Sequence, residues 1–110
     1  MLEKVIMAAI GEIKSECFTT KDVIDVLKLK YPKTYRLIVK KYGYSGYNFR
    51  CYVAASLRAL VAKGLLTRGK STCKSKKGFR KTPKGIGWNS PCIAEWCKAQ
   101  KTLPEFLYHK

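Results

Sequence analysis

Residues 53–66 read VAASLRALVAKGLL, and this stretch decides the fold. Its leucines and valines recur three and four positions apart, which is the spacing of the buried face of an amphipathic α-helix. Gly64 suits the residue after the end of that helix, and the two leucines that follow it have the character of a strand. Upstream, Asn48 can accept hydrogen bonds from the first free amides of a helix. The sequence therefore predicts a helix over residues 47–64 that leads directly into a strand.

The sequence before this helix predicts further helical structure. Apolar residues at helical spacing indicate a first helix over residues 1–15. Thr19 and Asp22 have the spacing of a capping box, so a second helix begins there, and Pro32 stops it. One or two further helical turns are predicted over residues 34–42. The connection that follows the second helix therefore has room for an extra helix.

The sequence after residue 64 predicts a β-hairpin and a final helix. The hairpin spans residues 65–88, with a loop rich in Gly and Lys and a returning strand at residues 86–88. Ser90 followed by Pro91 suits the cap and the first position of a helix, which we predict over residues 90–101. The predicted fold is mainly α with a small β-hairpin (α+β), in a single domain of residues 1–110.

This order of elements resembles the winged helix-turn-helix superfamily of DNA-binding proteins. The resemblance rests on Val53, Leu57 and Leu60 and on the exit Ala62-Lys63-Gly64-Leu65-Leu66, and it covers about residues 3–88. The long connection of residues 28–47 departs from the tight turn usual in the superfamily. The resemblance implies a winged helix-turn-helix with an added C-terminal helix, in which residues 47–64 are the recognition helix and residues 65–88 the wing. It also implies binding of double-stranded DNA, as a transcriptional regulator or a small genome-binding protein.

The net charge of +16 is distributed unevenly along the chain. Between Val26 and Ala94 there are seventeen Lys and Arg residues and no Asp or Glu, and all seven carboxylates lie outside this range. A surface that serves only solubility would mix the two signs of charge. The acid-free range therefore predicts a folded surface that binds a polyanion.

The candidate DNA-binding residues form two groups. In the helix, small side chains would let the backbone approach base edges, and Asn and Arg suit adenine and guanine. The members of this group are Tyr47, Asn48, Arg50, Cys51, Tyr52, Ala55 and Arg58. In the wing, cations would contact phosphates, with Arg80 beside Phe79 expected at the tip. The members of the second group are Arg68, Lys70, Lys74, Lys76, Lys77, Arg80, Lys81 and Lys84.

Two other function classes stay open as alternatives. Lys outnumbers Arg by 18 to 5, which suits backbone contact and hence an RNA-binding or ribosome-associated winged-helix protein. The third class is a protein-interaction module or a nuclease subunit. We expect no enzyme activity, since the carboxylate cluster that a metal-dependent nuclease needs is missing from the basic region. No cofactor and no metal site are expected.

The remaining expectations concern cysteines, location and assembly. Five cysteines without a CxxC spacing favour free thiols, with one long-range disulfide as the alternative. The apolar run of residues 5–10 is too short to span a membrane, so we expect no membrane partner and an intracellular location, in the cytoplasm or nucleoid. A homodimer through the C-terminal helix would use Ile93, Trp96, Leu103 and Phe106.

Overall fold

The computed structural model describes residues 2–99 of the chain. Its helices are α1 (Leu2–Glu12), α2 (Thr20–Lys30), α3 (Pro32–Tyr42) and α4 (Phe49–Ala62). Its strands are β1 (Cys17–Thr19), β2 (Leu66–Arg68), β3 (Thr72–Cys73), β4 (Lys76–Lys77), β5 (Phe79–Lys81) and β6 (Cys92–Lys98). The fold of the described residues is therefore mixed α and β. Within the same residues, no helix combines the length and the apolar composition that crossing a bilayer requires.

The predicted caps of α2 and α4 are confirmed. The Thr19 hydroxyl accepts a hydrogen bond from the Asp22 amide at 3.2 Å, and the Asp22 carboxylate accepts one from the Thr19 amide at 2.8 Å. At the start of α4, the side-chain oxygen of Asn48 accepts from the amides of Arg50 and Cys51, at 2.9 and 3.3 Å. These bonds satisfy amides that a helix leaves free in its first turn. Local sequence therefore sets where α2 and α4 begin.

The helical turns predicted over residues 34–42 belong to a full helix, α3. It begins at Pro32, because the fixed φ of proline suits the first helical position and its missing amide costs no hydrogen bond there. It ends before Gly43, whose φ of 70° is a conformation that favours glycine. The long connection between α2 and α4 is thus filled by an additional helix.

Strand β6 lies at the centre of the sheet. β1 pairs with one edge of β6 and β2 with the other, and both pairs are antiparallel. β5 pairs with β6 opposite residues 92–94, further along the edge that β2 occupies. Between β2 and β5 the chain leaves the sheet and forms the small β3–β4 hairpin. A single strand, β6, therefore organises the whole C-terminal half of the fold.

The prediction of a helix over residues 90–101 is wrong, because residues 92–98 form strand β6. Ile93 and Cys97 are buried on one face of this strand and Trp96 is buried on the other. A strand covered on both faces lacks the alternation of apolar and polar residues that marks a strand in sequence. Pairing with distant strands decides the structure of such a segment. Residues 100 and 101 lie outside the described residues.

The hairpin predicted over residues 65–88 is also corrected. Its first strand is present as β2, but residues 86–88 are not a strand, and the strand that pairs with β2 is β6. Gly85 and Gly87 both have positive φ, which interrupts an extended backbone. Residues 82–91 instead form the loop that connects β5 to β6.

Two of the four side chains predicted for a dimer seam do not lie on the surface. Ile93 and Trp96 are buried in the interior of the chain. The indole nitrogen of Trp96 donates to the Thr20 hydroxyl at 3.0 Å, which joins β6 to α2. These two side chains are therefore not available to a second copy. Leu103 and Phe106 lie outside the described residues.

Four of the five cysteines form disulfides, in contrast to the free thiols that the sequence favoured. Cys17 bonds to Cys97, with Cα atoms 4.0 Å apart, and Cys73 bonds to Cys92, with Cα atoms 5.9 Å apart. Each bridge has one partner in β6, the strand that was predicted as a helix. The pairing could not be read from spacing, because it depends on the register of that strand. Cys51 is a free thiol.

Candidate nucleic-acid interface

Helix α4 has an apolar inner face and an outer stripe of small residues. Successive residues of an α-helix lie about 100° apart around its axis. The buried side chains of α4 are Phe49, Val53, Leu57 and Leu60. On the opposite side lie Cys51, Ala55, Arg58 and Ala62, which we name the outer stripe. Arg58 and Ala62 are exposed, and Arg58 is the one long polar side chain of the stripe.

The other predicted residues of the helix group have different positions. Asn48 is the cap of α4. The ring of Tyr52 stacks on that of Tyr42, with centroids 4.5 Å apart, so it packs at the edge of the core. Tyr47 is exposed and meets the Tyr42 ring edge to face. The guanidinium of Arg50 lies beside the rings of Phe49 and Trp88. The structure therefore places only three of the seven predicted residues on the outer stripe.

The segment of residues 70–84, which we name the basic hairpin, displays its lysines to solvent. Lys74 and Ser75 have φ values of 49° and 68°, the geometry of a type I′ turn between β3 and β4. All five lysines predicted there beyond residue 70 are exposed, namely Lys74, Lys76, Lys77, Lys81 and Lys84. Lys70 is exposed as well and lies 3.5 Å from the Glu16 carboxylate. Such a surface pair contributes little to stability.

The two arginines of the second group bind within the chain. Arg80 lies in β5, opposite Ile93, and donates from Nε and Nη2 to one oxygen of Glu95, at 3.0 and 2.6 Å. The expectation that Arg80 stands at the tip of the wing is therefore wrong. The guanidinium of Arg68 lies 4.6 Å from the Trp96 ring centroid and donates to the Gly78 carbonyl at 3.3 Å. Both arginines hold the basic hairpin against the sheet.

Glu95 is the centre of this arrangement, and sequence reasoning did not select it. Its side chain is 5% exposed and accepts from the Ser71 amide at 2.8 Å as well as from Arg80. A Cβ at Gly69 would overlap the Glu95 side chain, so only glycine fits beside it. Its position between Ala94 and Trp96 was the sequence signal that could have identified Glu95. An acid within an apolar run needs a partner when it is buried.

The Glu95 carboxylate is held in its ionised form. Burial alone would raise the pKa of Glu95, but hydrogen bonds from Ser71 and the charge of Arg80 lower this pKa below its usual value. The charged carboxylate therefore joins three separate parts of the chain. These are the segment at Ser71, strand β5 and strand β6.

Most cations of the acid-free range have no carboxylate partner. Within residues 2–99, only Lys63, Lys70 and Arg80 of the seventeen form ion pairs. The remaining fourteen lie in the α2–α3 region, on α4 and in and around the basic hairpin. Like charges at this density repel each other unless an anion lies between them. The same described residues hold no group of His, Cys, Asp and Glu suited to a metal ion.

Comparisons of the chain with protein-family models, with curated proteins and with solved structures find no match.

Proposed function

We propose that the protein is a winged-helix protein that binds double-stranded DNA. The element order α1, β1, α2, α4, β2 and basic hairpin supports the resemblance, with α3 as the extra helix and with β6 in place of the strand predicted over residues 86–88. The observation that carries the proposal is the set of fourteen cations without a carboxylate partner among residues 26–94. A polyanion with regularly spaced phosphates is the ligand that relieves their repulsion.

The outer stripe of α4 is the surface that enters the major groove in this proposal. The groove admits an α-helix, and small side chains let the helix backbone approach the base edges. Cys51 and Ala55 provide that close approach, and Arg58 provides a fork for guanine. Sequence preference would therefore depend mainly on Arg58.

The basic hairpin has a different part in the proposal. Its exposed cations are lysines, which act as point charges toward phosphates and do not read base edges. The arginines in and just before the hairpin are engaged within the chain, since Arg68 contacts Trp96 and Arg80 pairs with Glu95. The hairpin would thus add affinity for any sequence. The same chemistry suits an RNA backbone, so duplex RNA is the competitor that tests the alternative function.

Replacing Lys76 and Lys77 together by Gln is expected to weaken duplex binding and to reduce its salt dependence. The slope of log K against log salt is negative, and each lost phosphate contact reduces its steepness by about 0.9. The loss of two contacts therefore reduces the steepness by about 1.8. The measurement is a fluorescence anisotropy titration with random-sequence duplex DNA over a series of salt concentrations.

The matched control replaces Lys4 and Lys14 by Gln. Both are exposed lysines outside the acid-free range, and this double variant has the same net charge as the first. Its salt slope is expected to equal that of the wild type. If the two double variants lose affinity equally, net charge and not the basic hairpin is responsible, and the assigned role is wrong.

A further inference from the structure

A pocket opens beside the start of α4, between α2, α3 and the loop of residues 82–91. Its volume is about 310 Å³, at the lower end of the range usual for small-ligand pockets. Its aromatic lining comes from three separate parts of the chain. The rings are Tyr35 from α3, Tyr44 and Phe49 from the start of α4 and the turn before it, and Trp88 from the loop.

The pocket carries positive charge next to these rings. Lys21 and Asp25 line it as well, but they pair with each other at 2.8 Å and so offset one another. Lys28 and Arg50 have no carboxylate partner among the described residues. The Lys28 ammonium lies 5.8 Å from the Tyr35 ring centroid. The Arg50 guanidinium lies 4.7 Å from the Phe49 centroid and 5.8 Å from that of Trp88.

Two tyrosines form an aromatic wall of the pocket. Tyr44 is 64% exposed, so part of its ring is free to contact a ligand. Burial raises the pKa of Tyr35, and the neighbouring Tyr44 hydroxyl adds to the rise.

We propose that this pocket binds one unpaired nucleotide, with its base against the rings and its phosphate at Lys28 and Arg50. Aromatic side chains stack bases of any sequence, and adjacent cations contact the backbone. An acidic peptide would suit the two cations but would leave the rings without a function. The proposal rests on nucleic-acid binding and makes it more specific. In a duplex every base is stacked, so the pocket would be filled only at an overhang, a gap or a bulge.

The test compares a blunt duplex, the same duplex with a short single-stranded overhang, and the same overhang built from abasic residues. The wild type is expected to bind the overhang duplex about tenfold more tightly than the other two, within the range for stacking one base on aromatic side chains. Tyr44→Ala is expected to abolish this preference and to leave blunt-duplex binding unchanged. Trp88→Ala, from a different part of the pocket, is expected to have the same effect.

Tyr47→Ala is the matched control, because Tyr47 is 59% exposed in the same turn but does not line the pocket. It is expected to keep the preference. Equal binding of the three DNAs by the wild type, or equal effects of the two tyrosine variants, would overturn the proposal. The proposal would also be overturned if the wild type bound polyglutamate and Tyr44→Ala weakened that binding. This result would assign the pocket to an acidic peptide. Overhang binding without blunt-duplex binding would contradict the duplex function and support the pocket.

Discussion

Replacing Cys17 and Cys97 together by Ala is expected to lower the free energy of unfolding by about 4 kcal/mol, because the bridge closes a loop of eighty residues. Without the bridge, the unfolded chain recovers conformational freedom that the bridge removes, and this favours the unfolded state. The Cys73–Cys92 bridge closes a loop of nineteen residues, so its replacement is expected to cost about 3 kcal/mol. Urea unfolding followed by circular dichroism measures both values.

Cys51→Ala is the control for these cysteine variants, because Cys51 is a free thiol on α4. Its effect is expected to stay within about 0.5 kcal/mol, as for most surface substitutions. Addition of a reductant should destabilise the wild type and leave the variant that lacks all four paired cysteines unchanged. Equal stability of reduced and oxidised wild type would contradict the two bridges.

The second large effect is expected at Glu95. Glu95→Gln removes the charge that Arg80 pairs with and one of the acceptors for Ser71, and should destabilise the protein by about 2 kcal/mol. The loss of a fully buried ion-pair partner costs about 3–5 kcal/mol, and the Arg80 side chain is 38% exposed, which places the expected value lower. Chemical denaturation at neutral pH measures the difference.

Glu16→Gln provides the comparison, since it removes one carboxylate from an exposed pair with Lys70. Its cost is expected to be below about 0.5 kcal/mol. Equal effects of the two variants would mean that Glu95 does not hold the basic hairpin. Both variants raise the net charge by one, so general repulsion cannot account for a difference between them.

The Glu95 contribution should also depend on pH. Its pKa is lower in the folded protein than the usual 4.5, so the folded state favours the ionised form. The stabilisation is therefore fully present above the usual pKa and is lost as the pH falls through the lower folded-state pKa. The stability difference between wild type and Glu95→Gln should accordingly shrink when the pH is lowered below about 4.5.

Sequence was sufficient where structure depends on neighbouring residues. The caps at Thr19 and Asn48, the inner face of α4 and the break at Gly64 all depend on spacings of a few residues. The acid-free range was also visible, because it depends only on the types of residue in the sequence. These features fix the helices and the location of the positive charge.

Sequence was not sufficient where distant segments decide the structure. β6 is buried on both faces, so its strand character depends on pairing with β1, β2 and β5. Both disulfides, the Glu95–Arg80 pair and the burial of Trp96 follow from β6. The pocket beside α4 likewise joins Tyr35 to Trp88, which are far apart in the chain. The predicted wing tip at Arg80 was wrong because its partner lies fifteen residues away.

The two disulfides bear on the expected intracellular location. Disulfides persist in oxidising compartments and are rare in the cytosol, except in hyperthermophiles. The proposed binding of DNA inside a cell would therefore require a cytosol that tolerates disulfides. In a reducing cytosol both disulfides would be reduced, and the protein without its disulfides would be the form that binds DNA.

The salt dependence of duplex DNA binding tests the central claim most directly. The wild-type protein should bind random-sequence duplex DNA with a slope of log K against log salt between about −5 and −9, as for six to ten phosphate contacts. It should prefer duplex DNA to duplex RNA. A slope shallower than about −2 would contradict an electrostatic mechanism that neutralises many phosphates. Equal or tighter binding of duplex RNA would instead support the RNA-binding alternative and contradict the proposed function.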